Sequence, residues 1–96
     1  MTYSQRVKAS KKVLQAMDSL GEDQSFSFIY DERQFEMKCF AILEDGNKLY
    51  SVYQKGPEIL GMNVEKITPT SFTLYTFNMM GLKTTYKMGM DKMEII

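Results

Sequence analysis

The hydrophobic period of this chain changes once, at Gly21, and that change decides most of what it can fold into. Before it, Tyr3, Val7, Leu14 and Met17 recur at spacings of three, four and seven, with Val13 and Leu20 widening the same stripe, which is the pattern of one amphipathic helix. After it, apolar and polar residues alternate, as they do along strands whose side chains point to opposite faces. No later stretch returns to the helical period, so nothing can make the crossovers that parallel strands need. The remaining sheet must be antiparallel.

The helix is predicted over about residues 4–20, capped by Ser4 or Thr2 and closed by Gly21 in the left-handed conformation. Val7, Leu14 and Met17 are expected to face the sheet. Lys8, Lys11 and Lys12 form the opposite, solvated face.

Phe26, Phe28 and Tyr30 alternate with Ser25, Ser27 and Ile29 and predict a strand with one aromatic face, turned back by Asp31-Glu32-Arg33. A second strand runs through Phe35, Met37, Cys39, Ala41 and Leu43. Because Phe40 and Ile42 follow Glu36 and Lys38 on the alternate positions, its second half reads as covered on both faces and as the centre of the sheet. Asp45-Gly46 then marks a tight hairpin into Lys48–Gln54, with Gly46 at positive φ. Lys55-Gly56-Pro57-Glu58 reads as a break. Residues 59–67, 70–78, 82–88 and 92–96 complete the strands, and Leu82, Thr84, Tyr86 and Met88 alternate with Lys83, Thr85 and Lys87 as a half-buried strand should.

The fold class that follows is α+β: an N-terminal amphipathic helix on a curved, mainly antiparallel sheet of six or seven strands, or a partly open barrel. At 96 residues one domain is expected, helical at 4–20 and β-rich over 25–96.

The residue inventory removes several kinds of chemistry. With no histidine, neither a Ser-His nor a Cys-His pair exists, and the lone Cys39 cannot complete a zinc site. Glycine-rich phosphate loops are absent, and the paired acids Glu22-Asp23, Asp31-Glu32 and Glu44-Asp45 each fall at a predicted turn. No catalytic residue, cofactor or metal is expected. A single cysteine in an apolar run reads as a packing residue and fits the reducing cytoplasm. The sequence opens on mixed polar residues without a signal-like apolar core, and the longest apolar run, Cys39 to Leu43, is far short of the roughly 20 residues that span a bilayer.

What remains is recognition. The leading expectation is a non-catalytic protein-binding module, such as a small inhibitor, adaptor or accessory factor. Nine methionines are many for this length, and methionine makes adaptable contact surfaces as well as cores. Met79, Met80, Met90 and Met93, with Ile95 and Ile96 of a C-terminal edge strand, are the candidate partner surface, and that edge also offers a route to a homodimer. The alternative is a nucleic-acid-associated accessory protein using Lys8, Lys11, Lys12, Lys83, Lys87 and Tyr75. Zero formal charge argues against it, since phosphate-backbone affinity depends on a basic excess.

Overall fold

A computed structural model describes residues 1–56 and 60–96. Pro57, Glu58 and Ile59, part of the expected break and the first residue of the fourth expected strand, lie outside the described residues.

Helix α1 covers Tyr3–Asp18. Thr2 caps it: its hydroxyl accepts from the Gln5 amide at 3.2 Å while the Gln5 side chain accepts from the Thr2 amide at 2.8 Å, so two otherwise unpaired donors are met reciprocally. The buried face is Ser10, Val13 and Met17, continued by Leu20 beyond the helix. This is rotated from the predicted face. Val7 and Leu14 are only half-buried and Tyr3 is exposed. Ser10 can sit on the buried face because its side chain is small and its hydroxyl donates to the Arg6 carbonyl at 2.7 Å, so it is fully enclosed without an unmet polar group.

The C-terminal end also departs from expectation. Ser19 caps α1 in the right-handed region, and the positive φ of the following turn falls on Asp23, at 67°, instead of Gly21. The carbonyls that a left-handed glycine would have helped to satisfy are met by side chains of the sheet. Lys48 donates to the carbonyls of Asp18 and Leu20, and the Tyr50 hydroxyl donates to that of Met17 at 2.9 Å. A cation at a helix C-terminus also meets the negative end of its dipole.

Among the described residues seven strands follow: β1 Ser25–Tyr30, β2 Arg33–Ile42, β3 Lys48–Gln54, β4 Leu60–Ile67, β5 Ser71–Phe77, β6 Lys83–Gly89 and β7 Glu94–Ile95. All pairings are antiparallel, in the order β6-β5-β4-β3-β2-β1-β7, and the sheet curves into a half-barrel with α1 on its concave side. A one-turn 3-10 helix, Met90–Lys92, carries the chain from β6 to β7 across the sheet and rests against α1. There Arg6 reaches the nearly buried carboxylate of Asp91 at 3.4 Å.

Three details correct the sequence reading. The middle of the strand order is β3, with β2 one place to the side. A register shift between Cys39 and Ala41 breaks the alternation of β2, and Phe40 within it and Ile42 beyond it are exposed instead of covered. The last expected strand is shortened to two residues, because Met90 to Lys92 form the 3-10 turn that lets the chain change edges.

The core collects the concave-face residues Phe28, Met37, Cys39, Val52, Phe72 and Leu74 around Val13 and Met17, and Met90 closes it from the 3-10 turn. No helix among the described residues is long and apolar enough to cross a membrane.

Two hairpin turns show opposite solutions to the same problem. At Leu43–Asn47 only Gly46 takes positive φ, at 87°, and Asp45 fixes the turn by accepting from the Asn47 amide at 2.9 Å. At Tyr30–Arg33 the two central residues, Asp31 and Glu32, both take positive φ, 52° and 61°, which suits the twist of a two-residue hairpin but strains non-glycine residues. Open space surrounds the missing Cβ of Gly46, so Gly46→Val should lose stability through backbone strain alone, about 1 to 2 kcal/mol. Asp45→Asn should stay within about 0.5 kcal/mol. Urea midpoints for the two variants check this, and equal midpoints would contradict it.

Candidate functional site

Helix α1 fills one end of the half-barrel and leaves the other end open. The open end is a cleft of about 500 Å³. Its walls come from side chains that the strand alternation turns inward: Phe35 on β2, Met62 on β4, Leu74 on β5, and Tyr86 and Met88 on β6, with Tyr30 closing the far side. Phe35 stacks on Phe28 at 5.5 Å between ring centres and meets Tyr30 edge-on at 6.5 Å, so the aromatic floor is fixed by mutual packing. Polar residues also line it, among them Asp31 and Arg33 of the strained turn, Gln54 and Thr76. Its volume lies in the range of concave sites on proteins, roughly 300 to 1,000 Å³.

Beside the cleft runs β6. It pairs with β5 over all seven of its residues, and among the described residues no strand pairs with its other side. Its Lys83 to Lys87 stretch is exposed on both faces, and only Met88 is buried, because α1 does not extend over this part of the sheet. The half-buried strand expected from its alternation is therefore an open edge.

The hairpin joining β5 to β6 holds the most exposed apolar residues near this edge. Met79 is 105% and Met80 85% exposed, and Phe77 and Leu82 flank them in the same state. The Asn78 side chain accepts from the amides of both Met80 and Leu82 at 2.9 Å, and Gly81 takes positive φ, at 79°. The loop is thus an ordered turn that holds two methionines outward, which lowers the ordering cost of any contact they make.

The other members of the expected partner surface lie elsewhere. Met90 is fully buried and leaves that surface altogether, because the 3-10 turn points it into the core. Met93 is half-buried, while Ile95 and Ile96 are exposed beside β1, at the other end of the strand order from Met79 and Met80. The Ile96 amide donates to the Ser27 carbonyl at 3.0 Å, so the C-terminal residues are docked on the sheet.

The basic residues also divide into two groups. Lys8, Lys11 and Lys12 project from the outer face of α1, on the concave side of the sheet, whereas Lys83 and Lys87 alternate with the inward-facing Tyr86 and so belong to the convex side. Tyr75 shares that convex side, but Lys83 lies 4.9 Å over its ring and Phe77 meets it edge-on at 5.8 Å. Lys83 also pairs with Glu65. These contacts occupy the ring face that a stacked base would use.

Sequence reasoning missed the cleft and the open edge because both depend on where α1 stops covering the sheet. A signal was present in the two lysines flanking Thr85, since natural edge strands often carry lysine. Among the described residues no group of three or more His, Cys, Asp or Glu side chains is placed to hold a metal ion.

One titratable group is perturbed by the helix docking described above. Burial first, then the Cys39 thiol and the Asp18 carboxylate, push the Tyr50 hydroxyl up from 10.0 to about 12. The fold therefore favours the protonated phenol. Its contribution is complete below pH of about 10 and is lost as pH rises from there through about 12. Tyr50→Phe should cost about 0.5 to 1.5 kcal/mol at pH 7 through the lost hydrogen bond and should flatten this part of the alkaline fall in stability. Urea titrations between pH 8 and pH 12 check it, and an unchanged alkaline slope would sink the assignment.

Comparison with protein-family models, with curated proteins and with solved structures finds no match to this chain.

Proposed function

We propose that this chain is a non-catalytic protein-binding module, an inhibitor, adaptor or accessory factor, acting through the open end of its half-barrel. The observation that carries this reading is the ordered β5–β6 hairpin, on which Phe77, Met79, Met80 and Leu82 are exposed, joined to a strand whose Tyr86 lines the apolar cleft. Large exposed apolar side chains gathered on one hairpin mark an interaction site, and methionine and aromatic residues suit protein contacts. The lone buried thiol of Cys39 fits action in the reducing cytoplasm.

The test is affinity capture from native lysate with the tagged chain, run beside Met79→Ser/Met80→Ser. Both side chains are exposed, so this variant should keep the fold and remove only the contact. Retention of a protein by the parent and its loss from the variant supports the reading. Retention of nothing, equal retention by both, or retention abolished by nuclease overturns it.

A further inference from the structure

The proposed protein-binding role rests on the open end of the half-barrel, and the composition of β6 narrows the kind of partner that end can take. The outer edge of β6 presents a row of amide donors and carbonyl acceptors, and seven residues are enough to align an extended segment. Alternation fixes what the two faces of such a segment would meet. One face would lie over the cleft beside Tyr86 and Met88. The other would lie on the convex side beside Lys83, Thr85 and Lys87.

Next to β6 that convex side carries more lysines than acids. Lys66, Thr73 and Lys87 form one cross-strand row on β4, β5 and β6, and Lys83 stands further along the same edge. Glu65 pairs with Lys83, while neither Lys66 nor Lys87 has an ion-pair partner among the described residues. A second copy of β6 in antiparallel pairing would bring two more lysines to this face and no acid. Like charges on facing strands repel, and opposite charges attract. We infer that β6 accepts an extended segment of a partner protein as an eighth strand, its apolar side chains entering the cleft and its alternate, acidic side chains meeting Lys83 and Lys87.

The probe is a short synthetic peptide of alternating Glu and Val with blocked ends, compared with its Lys/Val counterpart. Binding is followed by amide exchange and by amide chemical shifts. The Glu/Val peptide should bind, slow the exchange of β6 amides that are not bonded to β5, and weaken with added salt. Lys83→Glu/Lys87→Glu should reverse the preference, with a change of about tenfold or more for each peptide. Because the variant must gain one ligand as it loses the other, misfolding cannot imitate this result. N-methylation of one alternating set of peptide amides should abolish binding, and methylation of the other set should spare it. Equal affinity for the two peptides, shifts located away from β6, or binding unaffected by methylation of either set overturns strand addition. So does displacement of the peptide by a single-stranded oligonucleotide at physiological salt. If a lysate protein is still lost with Met79 and Met80 while no peptide binds, strand addition falls and the protein-binding reading stands.

Discussion

Replacing Phe28 with alanine should destabilise the protein by about 3 to 5 kcal/mol, while replacing its neighbour Ile29 should cost about 1 kcal/mol or less. Phe28 is wholly enclosed on the concave side of β1, where it stacks on Phe35, tilts against Phe26 and lies opposite Ile95 of β7. Its loss would remove both the transfer of a large ring from water and the packing that holds the cleft floor. Such a cavity cannot collapse easily, because the neighbouring rings are fixed by the register of two strands. Ile29 points the other way and is exposed. Urea midpoints at constant slope measure the difference, and similar losses at the two positions would show that the faces of β1 are misassigned.

The second large effect concerns the helix. Met17→Ala should cost about 2 to 5 kcal/mol, Leu14→Ala clearly less, and Lys8→Ala no more than about 0.5 kcal/mol. Met17 is almost completely buried against the sheet, and its carbonyl is also the acceptor for Tyr50, whereas Leu14 lies at the edge of the interface. The spacing of apolar residues alone gives Leu14 the same rank as Met17. A larger loss at Leu14 than at Met17 would restore that face and contradict the packing described here.

This ranking shows where sequence was informative. The change of period at Gly21, the alternation through Phe26–Tyr30 and Phe35–Cys39, and the Asp45-Gly46 turn are local signals, and each corresponds to an element of the structure. They settled the α+β class and the antiparallel sheet. Ser10 was illegible because its hydroxyl suggests solvent, and only the bond to the Arg6 carbonyl makes its burial acceptable. Gly21 misled for a related reason: Lys48 and Tyr50 serve the end of α1 from about thirty residues away, and no local pattern records that. Met79 and Met80 could be read as exposed beside Gly81, but Met90 could not be distinguished from them. Its burial depends on the 3-10 turn that draws the chain back toward α1.

The strand order carries a consequence for how quickly the fold can assemble. From β1 to β6 every strand is bonded to the next in sequence, so this meander can grow by closing short loops, each at a small entropic cost. Two associations are different. The docking of the Met90–Lys92 turn on α1, with Arg6 and Asp91 85 residues apart, requires the chain to return over nearly its whole length, and the pairing of β7 with β1 requires it to return past the five strands between them. These contacts are expected to form after the rate-limiting step. Weakening the Arg6–Asp91 contact should then leave the refolding rate almost unchanged and speed unfolding, making this junction a latch on the lifetime of the native state.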